Sequence, residues 1–168
     1  ITTRLVGSEM CIRDRPNTSE QLKRYYSAWR ATNAIYEDWA KKYGLSYYEL
    51  LVLLSLREGK EPCTQKQICE QWTLPKQTVH SILRNFLERE WVTFHVLEND
   101  KRNKGVSFTR SGSAFAGEVI DKLQSLECRV WERLGNEKSN ALLESTILYV
   151  SYFREENLRL QSEHKEEG

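Results

Sequence analysis

Between Thr64 and Thr109 the chain is punctuated in a way that admits few folds. Thr64, with Gln67 three residues on, has the pattern of a helix N-cap and its reciprocal partner, and Ile68 and Trp72 follow at inward spacing, so a short helix opens there. Pro75 then stands where a first-turn proline is favoured, because its missing N–H would be unpaired in any case. A second helix runs from Lys76 to about Glu90. Trp91 to Leu97 is rich in β-branched and aromatic residues, Asn99 to Gly105 is a polar turn, and Val106 to Thr109 alternates again, which predicts a hairpin. Two short helices joined by a tight turn and followed by a basic-tipped hairpin make a winged helix-turn-helix, whose second helix is sized for the major groove of a duplex.

Successive residues of that second helix lie about 100° apart. Val79, Ile82, Leu83, Phe86 and Leu87 then share one side, toward a core, leaving Gln77, Ser81, Arg84 and Asn85 opposite and Thr78 and His80 on the flanks. The outer face is almost wholly hydrogen-bonding. Gln and Asn can pair bidentately with adenine, Arg with guanine, and Ser or Thr with either. Thr73, Lys76 and the outward N–H groups of the helix start suit a phosphate. An ordinary solvated helix face would carry the same residue types. In the hairpin tip, Lys101, Arg102 and Lys104 can reach an adjacent minor groove, with Asp100 placed to orient Arg102, although charged turns also serve solubility alone.

Around this centre the chain reads as helical. From Thr18 or Ser19 to Tyr43, Leu22, Tyr25, Trp29, Tyr36, Trp39 and Tyr43 recur at three-and-four spacing on one face of a long helix that Gly44 ends. Ser46 and Glu49 form a capping box for a largely buried helix, stopped by residues 58–62. Two further helices run from about Ser111 to Leu134 and from about Ser139 to Leu160, broken at Gly135-Asn136. The expected architecture is mainly α with a small β-hairpin wing: a winged helix-turn-helix core over 46–110, an N-terminal dimerisation helix over 18–45 and C-terminal dimerisation helices over 111–168. The apolar faces of the flanking helices exceed what so small a core can cover, so a second subunit is the expected cover.

Formal charge is only +1, but it is unevenly placed: residues 74–110 carry seven Lys/Arg against four Asp/Glu, and residues 111–168 seven against eleven. The middle third is the basic one. Cysteines at 11, 63, 69 and 128 form no CxxC pair and share no ligand-like spacing with the histidines, so neither a metal nor a cofactor is expected. No apolar run approaches the roughly 20 residues that span a bilayer, and a cytoplasmic protein with reduced thiols is the expectation. Residues 1–15, ITTRLVGSEMCIRDR, match nothing that follows and resemble translated adapter sequence; with Pro16 and Asn17 they are expected to be a foreign or disordered tail.

The strings LPKQTVHSILRNFLEREWV and ENDKRNKGVSFTRSG resemble the recognition helix, wing and following helix start of the MarR family, with Asp100-x-Arg102 and Thr109-x-x-Gly112 at its most recognisable positions. The resemblance spans roughly residues 18–160. It implies a homodimer that sets two winged helices on a pseudo-palindromic duplex operator, most commonly as a repressor. Arg102 would be the minor-groove arginine, with Gln77, Thr78, His80, Ser81 and Arg84 at the major groove. Glu88-Arg89-Glu90-Trp91 departs from the family, where a glycine and a smaller apolar residue are commoner, which puts the end of that helix in doubt. The resemblance also implies release by an aromatic or lipophilic acid. Trp29, Tyr36 and Trp39 would line the cleft, and Arg30 or His80 would meet the anion, although aromatics at helical spacing more often simply pack. Two alternatives stay open. One is a redox-sensing regulator using Cys63, whose place before a helix start would lower its pKa, with Cys69 and Cys128 expected buried. The other is a protein-binding winged helix without DNA. No Gly-rich phosphate loop, HExxH or nucleophile elbow is present, so an enzyme is not expected.

Overall fold

The computed structural model describes residues 16–59, 62–97 and 100–166, without the side chains of Pro16, residues 100–103 and residues 164–166. Residues 1–15, expected to be foreign to the fold, lie outside the described residues. The elements run α1 (Pro16–Lys42), α2 (Tyr47–Glu58), β1 (Cys63–Thr64), α3 (Gln65–Trp72), α4 (Lys76–Glu88), β2 (Val92–Leu97), β3 (Asp100–Phe108), α5 (Arg110–Ala116), a π-helical turn (Gly117–Asp121) and α6 (Lys122–Glu166). The fold is the expected one, mostly helical with a small antiparallel sheet. By its contacts the chain divides after Val119 into two compact units.

In the first unit, local chemistry sets where helices start and stop. Ser46 and Thr64 each cap a helix with a complete reciprocal box, to Glu49 and Gln67 respectively. At the end of α1, Gly44 sits at φ +69°, and the N–H groups of Gly44 and Leu45 close on the carbonyls of Lys41 and Ala40, a Schellman motif. The same motif ends α4 without glycine: Glu90 N–H reaches Leu87 O at 2.9 Å, Trp91 N–H reaches Phe86 O at 2.8 Å, and Glu90 takes φ +57°. A left-handed backbone crowds any side chain that has a Cβ. Glu90→Gly should therefore stabilise the protein by about 1 kcal/mol, seen as a rise of roughly 2–4 °C in melting temperature. No rise on calorimetry would mean that Glu90 is held there without strain.

The core of this unit is formed by Leu50, Val52, Leu53, Ile68, Val79, Leu83, Phe86, Val92 and Val106, all at or near complete burial. Buried Ser55 is satisfied by the Trp72 indole, which donates to its Oγ at 2.6 Å. The sheet order is β1-β3-β2, all antiparallel. The two-residue β1 was not legible in the sequence, where Cys63-Thr64 reads as a helix approach. The expected polar turn over 99–105 is also shorter than predicted, because β3 begins at Asp100. Pairing is regular from Val92↔Phe108 to Val96↔Lys104 and then jumps to Leu97↔Asp100, so residues 101–103 fall between the paired positions.

α5 is docked on the wing's base. Thr109 caps it, accepting from Gly112 N–H at 3.0 Å, while Thr109 Oγ1 and Ser111 Oγ lie 2.6 and 2.8 Å from the Glu90 carbonyl. Trp91 stacks on Phe115 with ring centroids 4.1 Å apart and meets Phe86 at 5.4 Å. Trp91 thus fills, with aromatic contacts to Phe86 and Phe115, the position where the family it resembles more commonly has a smaller apolar residue.

The second unit is α6, interrupted at Gly135, whose φ +74° and ψ 163° fall outside any helix. The expected break at Gly135-Asn136 is therefore found, and the helix beyond it continues to Glu166 rather than Leu160. At the other end of the chain α1 begins at Pro16, inside the segment expected to be tail. Among the described residues no helix is long and apolar enough to cross a membrane, and no group of His, Cys, Asp and Glu could hold a metal.

Candidate nucleic-acid interface

α4 separates its residues sharply into an inner and an outer side. Val79, Ile82, Leu83 and Phe86 are buried, whereas Lys76, Gln77, His80, Ser81 and Arg84 are exposed and Thr78 is half-buried. Two of the expected placements are corrected. Leu87, expected in the core, is 43% exposed, because the helix outruns the core in its last turn and Leu87 lines an open groove with Glu90, Val92, Thr93, Arg110 and Ala114. Asn85, expected to face outward, is half-buried, and its Oδ1 is shielded from solvent with no hydrogen-bond partner among the described residues.

The approach of α3 to α4 is held by contacts that sequence spacing alone does not reveal. The Gln65 side chain donates to the Lys76 carbonyl at 2.7 Å, tying the first turns of the two helices together. Thr73 ends α3 in a left-handed conformation, φ +53° and ψ +39°, with its N–H on Cys69 O. That turn leaves Thr73 exposed three residues before the start of α4, where Pro75 takes the N-cap position and no side chain caps the helix. The first-turn N–H groups accordingly remain available to an acceptor from outside.

On the outer face Arg84 is not alone. Its Nε donates to Glu88 Oε1 at 3.1 Å. Glu88 was absent from the sequence-derived set, although its i,i+4 spacing from Arg84 was legible. In the wing, Lys104 is exposed on β3 opposite Val96, which is itself 74% exposed. Lys101 and Arg102 lie in β3, and their side chains are outside the described residues, as is any ion pair between Asp100 and Arg102.

The residues expected to line an effector cleft do not behave as a set. On α1, Trp29 is 57% exposed and Arg30 is exposed, while Tyr36 and Trp39 are half-buried. Trp39 is engaged in packing: its indole donates to Val119 O at 3.2 Å, its ring meets Tyr43 at 5.5 Å, and Lys42 Nζ lies 5.2 Å from its centroid. None of the four lines the groove beside Leu87.

The thiols differ from expectation too. Cys63 is buried in β1, and desolvation raises its pKa above the ordinary thiol value, outweighing the opposite effect of the Thr64 backbone. Burial, not a helix dipole, sets its chemistry. Cys69 is half-buried and Cys128 is exposed in the single chain.

A short three-stranded sheet behind two helices, the second offering a polar outer face beside a hairpin, defines a winged helix-turn-helix protein. The family model for MarR matches residues 43–103, which run from the end of α1 through α4 and β2 into the start of β3. Over that segment the chain is similar to the MarR family. Among characterised proteins it is similar to the HTH-type transcriptional regulator SarZ of Staphylococcus epidermidis, 30% identical over 91 residues, which are 54% of this chain and 61% of that protein. The chain thus spans about three fifths of the length of the curated relatives it matches.

Solved structures share the fold at lower identity. A MarR family regulator from Neisseria meningitidis superposes with a TM-score of 0.68 at 24% identity, covering 80% of this chain and 94% of that one. The Staphylococcus aureus MepR–DNA complex gives a TM-score of 0.62 at 15% identity, covering 78% and 96%. Staphylococcus aureus MarR in complex with salicylate and kanamycin gives 0.61 at 19%, covering 88% and 96%.

Proposed function

We propose that this protein is a transcriptional regulator that binds a pseudo-palindromic duplex as a homodimer and represses by occupying it. The observation that carries the reading is the outer face of α4, where Lys76, Gln77, His80, Ser81 and Arg84 are exposed together while the opposite face is sealed in the core. Gln77 and Arg84 would meet base edges, Ser81, His80 and Thr78 would read or brace, and Thr73 and Lys76 with the uncapped helix start would hold a phosphate. Lys101, Arg102 and Lys104 of the wing would follow the adjacent minor groove. The similar MepR structure was solved with DNA, which supports the same partner here.

Dimerisation is supported by apolar surface that a single chain leaves bare. Tyr25, Tyr26, Trp29 and Ile35 on α1 and a long series on α6 are exposed, more than an isolated soluble subunit carries. Release by a small aromatic or lipophilic acid belongs to the same reading. Its support is the salicylate-bound relative and the exposed Trp29 and Arg30 on α1, Trp39 being committed to packing.

The test is a mobility-shift series on duplex selected from a random pool, repeated across salt. Arg102→Ala should bind more weakly and lower the slope of log affinity against log salt by about one per subunit, while Gln77→Ala should relax the choice at one base step in each half-site. Unchanged affinity and slope for Arg102→Ala would reject the wing assignment, and failure of the wild type to retain any duplex at low salt would reject DNA binding itself.

A further inference from the structure

Glu88 is an acidic side chain on the surface expected to approach a polyanion, and helix energetics do not explain it. It is the last residue of α4, where the helix dipole places partial negative charge and disfavours a carboxylate. Its pair with Arg84 also runs in the less favourable order, the cation preceding the anion at i,i+4. Both side chains are open to water, 74% and 65% exposed, so the pair adds little to the stability of the free protein.

The geometry suggests a different use. Glu88 holds Arg84 by Nε at 3.1 Å, and among the described residues neither terminal nitrogen of the guanidinium takes a partner. The end of the planar fork that remains is the end that pairs with O6 and N7 of guanine. On the previous turns, at the spacing that keeps a common face, lie Ser81 and Gln77, so the fork is presented in line with the other residues expected to read bases. When a duplex seats on α4 and excludes water, the Arg84–Glu88 contact strengthens as the local dielectric falls. The bare carboxylate, meanwhile, repels any phosphate that approaches without such a seat.

Resting on the DNA-binding reading above, we propose that Glu88 is a positioning residue that fixes Arg84 for guanine, so that this helix selects a G·C pair in each half-site and binds unrelated duplex less well. Glu88 gives up some total affinity for discrimination. The proposal separates two consequences of one side chain: its charge acts on all duplexes, and its hydrogen bond acts only through Arg84.

The experiment measures binding of wild type, Arg84→Ala, Glu88→Gln, Glu88→Ala and the Arg84→Ala/Glu88→Ala double variant to the selected duplex, to the same duplex with the G·C pair replaced, and to random duplex. Glu88→Gln and Glu88→Ala should both raise random-duplex affinity about two- to fivefold at low salt, since each removes a like charge. Arg84→Ala should lower the guanine preference about 5- to 150-fold per half-site. Glu88→Ala should lower it about three- to tenfold, Glu88→Gln, which keeps an acceptor, should retain most of it, and Glu88→Ala should have no further effect once Arg84 is gone. A merely structural role for Glu88 would move none of these ratios.

An unchanged guanine preference in Glu88→Ala, or an equal loss with and without Arg84, would overturn the positioning role while leaving DNA binding intact. A wild-type protein that retains no duplex at any salt would overturn both, and its lack of any retarded species distinguishes that outcome from the first.

Discussion

Gly112→Ala should lower the melting temperature by roughly 10 °C or more, the largest effect expected of any single methyl group in this protein. A Cβ at position 112 would stand 1.8 Å from the Trp91 carbonyl oxygen and 2.8 Å from its Cα. Backbone, unlike the end of a flexible side chain, cannot turn aside, so α5 would have to lift from the wing's base. Lifting it would break the bond from Thr109 N–H to Trp91 O, at 3.0 Å, and those from Thr109 and Ser111 to the Glu90 carbonyl. The Trp91–Phe115 stack would open as well. At about 1 kcal/mol for each hydrogen bond and a similar amount for the stack, the loss comes to about 3–5 kcal/mol, a large share of a typical domain's stability. Gly44→Ala makes the natural comparison. Its backbone is left-handed but nothing lies within 4 Å of a Cβ there, so it should cost only about 1 kcal/mol. Thermal unfolding of the two variants checks the contrast, and equal small shifts would mean that α5 is not tightly seated on Trp91.

Ile147→Glu should turn the protein into a monomer and reduce its affinity for a two-half-site duplex by about two to four orders of magnitude. Ile147 is 67% exposed in the single chain and sits among Leu142, Leu143, Leu148, Tyr149, Val150, Tyr152 and Phe153, all exposed by 40% or more. A helix this apolar around so much of its girth is stable only when covered. Under the proposed homodimer the cover is a second copy, and a carboxylate buried there without a partner is costly enough to separate the subunits. Each released winged helix keeps its own reading face but loses the linkage to the other, so weak salt-sensitive binding to random duplex should persist. Sedimentation equilibrium and mobility shift measured on the same preparation report both effects, with circular dichroism to confirm that the helices remain. A variant that stays dimeric with unimpaired operator binding would mean that this stretch of α6 lies outside the interface.

Comparison of the two Schellman motifs shows how far local sequence carries. Gly44 announces the end of α1 because glycine at that position is the cheapest left-handed residue, and the helix ends there as read. Glu90 gives no such announcement. It adopts the same backbone because Trp91 is held between Phe86 and Phe115, and that packing sets the path of the chain regardless of what residue 90 prefers. Similar reasons separate the residues of α4. Ideal helical spacing located Val79, Ile82, Leu83 and Phe86 inside and Gln77, Ser81 and Arg84 outside. It misplaced Leu87 and Asn85, because a helical wheel carries no information on where the neighbouring elements end.

Capping boxes, the Pro75 start, the Gly135 break and the inside–outside alternation of the helices were all determined by residues close in sequence, since each rests on bonds or periodicities that span four residues or fewer. Those local rules were enough to specify a winged helix-turn-helix whose second helix has a polar outer face. Tertiary structure alone decided what depends on residues far apart meeting: β1 pairing with β3, Gln65 bonding to Lys76, the buried and therefore less acidic thiol of Cys63, and the close approach of Gly112 to Trp91. Hydrogen bonds, desolvation and steric exclusion across such distances exist only once the chain has closed upon itself, which is why no reading of neighbours could supply them.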